Sequence, residues 1–161
     1  MTRVIAVSLF ALFLIGCAAR NGTKLEVLDE FLIGSDVAPR DLPVESFVLV
    51  DVEDANSRTA AAAEAGEQWP SDALAVAQRF VGPQHGRYVS IEKVDEASEF
   101  PRATTITIVS GSYLDDSVWG VWDQLLLSRR SDGLWRIDEA RRAWRCYRGH
   151  QTDSFGERWC L

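Results

Sequence analysis

Apolar and polar positions divide the chain into a leader, a helical stretch and a run of strands. Val4 to Ile15 is apolar or small, with Ser8 as its one polar side chain; a dozen residues fall short of the about 20 that a membrane-spanning helix needs. Leu25, Leu28, Phe31 and Leu32 sit at helical spacing, while Val27 favours a strand. Pro39 and Pro43 bound an irregular stretch, and Phe47 to Val52 reads as a strand. Ser57 to Gly66 is alanine-rich, with Ser57 as a cap and Gly66 as a stop, and reads as a helix or a connector. Pro70-Ser71-Asp72 opens a firmer helix. Leu74, Ala77, Gln78 and Val81 share its apolar face, and Gly82-Pro83 ends it.

Beyond Gly82 the pattern turns to strands. Arg87 to Val94 and Ala103 to Ser110 are rich in residues branched at Cβ, which fit a pleated surface better than a helix. Tyr113 to Ser117, with Asp115-Asp116, reads as a turn, and Val118 to Arg129 as a long strand. Ser131-Asp132-Gly133 predicts a hairpin turn, since Asp-Gly accepts positive φ. Leu134 to Ala140 returns, with Trp135 and Ile137 on one face and Arg136 and Asp138 on the other; Ala143 to Tyr147 continues or restarts it. Trp119 and Trp122, three apart, should lie on opposite faces. The expected class is α+β: an N-terminal helix or helices packed on an antiparallel meander of about four strands. This layout is similar to the NTF2-like and cystatin-like folds, an analogy that carries no function by itself.

The leader carries one positive charge, Arg3, before its apolar run, and ends Leu14-Ile15-Gly16-Cys17. A secretory signal has this form. The last four residues resemble the lipobox of bacterial lipoproteins at every position. The resemblance implies lipid transfer to the Cys17 sulfur, cleavage between Gly16 and Cys17, and acylation of the new amino terminus, with palmitate as a typical chain. A thiol suits the first step because its thiolate is a good nucleophile. Two or more acyl chains give a stable hold where one gives a marginal one. Ala18, in place of an inner-membrane retention Asp, favours an outer-membrane site facing the periplasm. The expected division is a signal peptide over 1–16, a lipidated tether over 17–23 and one globular domain over 24–161. The stretches Gly133-Leu134-Trp135-Arg136-Ile137, Trp144-Arg145-Cys146 and Arg148-Gly149-His150 are also similar to the ends of small bacterial envelope lipoproteins.

Cleavage would leave 145 residues with 16 basic and 24 acidic side chains, a formal charge of −8. An acidic, exported chain is a poor partner for nucleic acid. The charge is uneven. Lys24 to Asp72 holds twelve acids against three bases, and Arg129 to Leu161 holds eight arginines against five acids. The two parts are expected either to face each other or to offer the arginine-rich end to an anionic partner.

Two cysteines remain besides Cys17. In an oxidising compartment Cys146 and Cys160 read as one disulfide; the competing reading is a thiolate pair holding a metal with His150. With two histidines in all and no zinc-enzyme spacing, neither a metal nor another cofactor is expected. His150, Asp153 and Ser154 lie too close in sequence to promise the convergent geometry of a triad. Asp115-Asp116 is better explained as turn chemistry than as a catalytic pair.

Five of the six tryptophans lie from Trp119 onward, interleaved with arginines. Trp119, Trp122, Trp135, Arg136, Trp144, Arg145, Arg148 and His150 are therefore the candidate binding residues. Aromatic faces stacked with guanidinium groups suit glycans or phosphorylated head groups, though they also serve as core filling and cation–π packing. The function expected is that of a non-catalytic envelope lipoprotein. Its partners would be the membrane, through its lipid, and an envelope protein, glycan or lipid ligand. That ligand would bind at the Arg/Trp end or between helix and sheet. The alternatives are an enzyme with a desolvated carboxylate base in an NTF2-like pocket, or a hydrolase inhibitor that presents the disulfide loop around His150 to Phe155.

Overall fold

The structure is a computed structural model that describes residues 22–27 (backbone only), 39–114 and 117–161. Cys17 with its leader, and the Asp115-Asp116 pair, lie outside the described residues. The elements are β1 (Gly22–Val27), β2 (Val48–Val50), α1 (Glu53–Glu64), α2 (Ala73–Val81), β3 (Tyr88–Asp95), β4 (Ala103–Gly111), β5 (Val118–Arg129) and β6 (Trp135–Cys146), with short 3-10 turns at Pro39–Asp41 and Trp69–Ser71. The α+β expectation holds. The strand count exceeds the expected four: β3 to β6 form the antiparallel meander, β1 pairs with β3, and β2 pairs with β6. Val27 thus belongs to a strand rather than to the helical spacing it interrupts.

The better helix begins as expected. Asp72 caps α2 by accepting from the Leu74 N–H at 2.9 Å, and Gly82, at φ +83°, closes it where another residue would be strained. The alanine-rich stretch is helical, but it starts at Glu53 rather than after Ser57. Asp51 accepts from the Glu53 N–H, and Glu53 and Asp54 place negative charge at the first turn, where the helix dipole favours it. Asn56 then pins α1 to β6. Its carboxamide donates to the Ile137 carbonyl at 2.8 Å and accepts from the Ile137 N–H at 2.9 Å. Three-residue β2 does not reach Ile137, so a side chain takes the place of a missing strand.

The helices cover one face of the sheet. Val76, Ala77, Ile106, Ile108, Leu125, Leu127, Trp135 and Ile137 form the core between them. The other face is covered at one end by the segments around Leu42–Val44 and Phe155. Phe155 is fully buried there with Val109 and Ala143, beneath Leu42, Val44 and Tyr88. Backbone bonds fasten this cover: Phe155 N–H to the Pro43 carbonyl and Glu45 N–H to the Phe155 carbonyl.

Two register shifts overturn simple alternation. Leu126 faces Glu139 while Leu127 faces Ile137, so β6 bulges at Asp138. Trp135 and Ile137 share one face as predicted, which is the buried helix side, and past the bulge Ala140 takes over that phase. β6 runs through both predicted segments without a restart. A second shift lies between Val118 and Gly120. It turns Trp119 to the same side as Trp122, and both pack against the Phe155 cluster instead of on opposite faces.

Candidate functional site

The predicted site residues separate into three places. Trp135 is 8% exposed and belongs to the helix–sheet core, and Arg136 lies beside it on the solvent side, 3.8 Å from Asp138. Nine residues along β6, about 30 Å of strand, lies Trp144. There it packs with Val121, Val118 and the disulfide, with Trp159 edge-on at a centroid distance of 5.3 Å. On the reverse side of that end, the Arg145 guanidinium sits 4.1 Å over the Trp119 ring and donates from Nε to the Thr152 carbonyl. Burial lowers the Arg145 pKa, against the opposing pull of Asp153. Arg148 is exposed, and the buried His150 Nε2 has no hydrogen-bond partner among the described residues. The structure thus joins Trp119, Trp122 and Arg145 on one face and Trp144 with Trp159 on the other, and leaves Trp135 and Arg136 apart from both.

Cys146 and Cys160 are joined, with Cα atoms 5.5 Å apart. Among the described residues, no group of three or more His, Cys, Asp or Glu stands where it could hold a metal. The loop between the cysteines folds back onto the sheet. Ser154 and Phe155 are buried, while Arg148, Gly149 and Asp153 are exposed. Among the described residues no hydrogen bond joins His150, Asp153 and Ser154. Cys160→Ser is expected to lower stability by about 3 kcal/mol, from the entropy of a loop of this size. Urea melts with and without reductant check this; equal midpoints would contradict it.

Among the described residues the acidic and basic parts are not joined by an ion pair. Ion pairs form within single segments, as Arg58 with Asp54, Arg130 with Asp132 and Arg141 with Glu139, or between neighbouring strands, as Arg142 with Asp123. Among the described residues none links an acid of 39–72 to an arginine of 129–158. The two parts meet through backbone pairing at Val44 and Phe155 instead.

The concave feature lies between helices and sheet. A cleft of about 620 Å³ runs between α2 and β3, walled by Ala75, Gln78, Pro83, Gln84, Val89, Ile91 and Ile108. A smaller one of about 210 Å³ lies between α1 and α2, bounded by Arg58, Thr59, Val76 and Phe80. Trp69 and Arg79 line both, and the Arg79 guanidinium sits 4.4 Å over the Trp69 ring. Sequence reasoning pointed to a pocket between helix and sheet but missed this pair. Trp69 stands in the 3-10 turn before α2 and Arg79 in the last turn of α2, so no sequence spacing marked them as a pair.

Also missed was Asp123, which is 1% exposed. It follows the buried phase of β5 with Leu125 and Leu127, opposite Ile108 in β4, and accepts from Arg142 Nε at 2.7 Å. Burial raises its pKa above the ordinary 3.8, while the Arg142 charge and hydrogen bond pull it down. Asp123 lines neither cleft. The visible signal was an acid in phase with leucines; its partner on β6 could not be read without the bulges. No helix among the described residues is long and apolar enough to cross a membrane. No protein-family model, curated protein or solved structure matches the chain.

Proposed function

We propose that the chain is an exported envelope lipoprotein, held by lipid on Cys17, whose domain is a non-catalytic binding module with its ligand seat in the α2–β3 cleft. The observation that carries the binding part is the lining of that cleft. Aliphatic side chains of β3, β4 and α2 form its walls, two glutamines offer hydrogen bonds, and Arg79 on Trp69 supplies one cation. No Asp, Glu or His stands among its lining residues. Such a surface suits an apolar ligand with an anionic or carbonyl-bearing head, such as an acyl chain. It offers no group to move a proton.

The enzyme reading draws on Asp123, a desolvated carboxylate with a raised pKa on the helix-facing side of the sheet. It fits less well, because Asp123 is tied to Arg142 and stands away from both clefts.

A fluorescent fatty-acid analogue, titrated into the disulfide-intact domain, tests the seat. Ala75→Trp should fill the cleft and weaken binding at least about tenfold, a change of ~1.4 kcal/mol. Arg79→Gln should weaken the acid form by a similar factor, for one charge-assisted contact of about 1.5 kcal/mol, and leave the corresponding alcohol unchanged. Saturable binding that ignores Ala75→Trp would place the seat elsewhere. No binding of the acid or the alcohol would remove the acyl-ligand reading.

A further inference from the structure

We propose that the anchored domain stands on the bilayer through the end of the sheet that carries the β3–β4 hairpin, with Phe100 inserted at the lipid interface. The inference rests on the lipid-anchored reading above and adds an orientation to it. Covalent reach sets the first bound. From Cys17 to Gly22 the chain makes five steps, so it spans at most about 18 Å when fully extended. β1 lies antiparallel to β3 with Gly22 opposite Val94 and Val27 opposite Val89. The tether therefore delivers the lipid to the Val94 end. The β3–β4 hairpin loop begins two residues further on, after Asp95. The β5–β6 turn lies at the same end, since Ala103 faces Ser128 and Arg129 faces Trp135, and the Arg129 N–H donates to the Arg102 carbonyl. The β4–β5 loop with Leu114 lies at the opposite end, a strand of nine residues or about 27 Å away.

What the tether brings to the membrane is suited to it. Phe100 is 73% exposed in the 96–102 loop, with Glu96, Ala97, Ser98, Glu99, Pro101 and Arg102, and Val94 near the end of β3 is 49% exposed. A lone aromatic ring on an exposed loop is unexplained by the fold and suits the boundary between head groups and acyl chains. The charges nearby balance. Arg102, Arg129 and Arg130 stand against Glu96, Glu99 and Asp132, all exposed, with Arg130 and Asp132 2.9 Å apart. Insertion rather than net charge must then make the contact, so it should persist in high salt, where exposed charges are screened. The orientation also leaves the ligand cleft free. Its walls include Gly82, Pro83, Gln84 and Val89, at the end of β3 away from the lipid.

The test uses the full-length lipidated protein in phosphatidylcholine–phosphatidylglycerol vesicles. Phe100→Cys or Leu114→Cys carries an environment-sensitive dye; both positions are exposed, and the other three cysteines are lipidated or paired. Vesicle flotation reports the anchor, and a shallow nitroxide-labelled lipid reports depth. The expected result is flotation of both, with dye at 100 blue-shifted and mostly quenched at low and high salt, and dye at 114 water-like and unquenched. Flotation with dye at 100 unquenched, or with both sites quenched alike, would overturn the orientation and leave the anchor standing. Quenching at 100 that disappears in salt would overturn the insertion. Failure to float would remove the anchor and the orientation with it.

Discussion

Arg142→Ala is expected to cost the fold about 3–5 kcal/mol at neutral pH, the usual consequence of leaving one partner of a buried ion pair behind. Asp123 is almost wholly shielded from water between β4 and β6, with the Arg142 Nε at 2.7 Å. Burial raises its pKa more than Arg142 lowers it. The folded chain therefore holds the Asp123 proton more tightly than the unfolded chain does. That preference favours the fold fully below the unfolded pKa and is lost as pH rises through the folded value. At neutral pH the ionised carboxylate is tolerated because Arg142 faces it. Without Arg142 the folded pKa climbs further, so the deficit of the variant should shrink as pH falls through that higher value. Asp123→Asn in the Arg142→Ala background removes the stranded charge and should recover most of the loss. Urea melts of the four members of this cycle, at neutral and at mildly acidic pH, measure the coupling. A small deficit with no pH dependence would mean that Asp123 does not depend on Arg142.

Phe155→Ala is the second large effect, expected at about 3–5 kcal/mol for an aromatic ring removed from a packed site. The ring fills the space over Val109 and Ala143 and touches the layer formed by Leu42, Val44, Trp119 and Trp122. Its backbone also pairs with Pro43 and Glu45, while Gly156 pairs with Trp144 of β6, so the cavity would open where the 43–45 segment meets the loop that β6 holds. Local loosening should exceed the global loss. Amide exchange at Glu45 and Phe155 should accelerate at denaturant levels that leave β4 protected, and the emission of Trp119 and Trp122 should shift to the red. Uniform acceleration across the sheet would show that this cover unfolds only with the whole domain.

The parts legible in the sequence are those fixed by local chemistry. Branched residues from Ala103 to Ser110 make a strand wherever they lie, Asp132-Gly133 makes a turn, and Asp72 with Gly82 brackets a helix. The start of α1 was not legible, because its N-cap is Val52, a poor capping residue that makes no side-chain cap bond, while Ser57 is a favoured cap type. The faces of Trp119 and Trp122 were not legible either, since one extra residue in a strand flips everything beyond it. The candidate site suffered most. Interleaved Trp and Arg looked like one surface, yet strand length carries Trp135 about 30 Å from Trp144. The pair that lines the clefts, Trp69 and Arg79, comes from separate elements and carries no motif.

Where the mature chain begins and what its first residue carries determine whether the domain works anchored in the envelope. Intact-mass measurement of the protein extracted from the membranes of producing cells decides it. The expected product is a chain of 145 residues that starts at Cys17, bears fatty acyl groups on that residue, and has Cys146 and Cys160 oxidised. A chain that starts at any other residue and carries no fatty acid would contradict it.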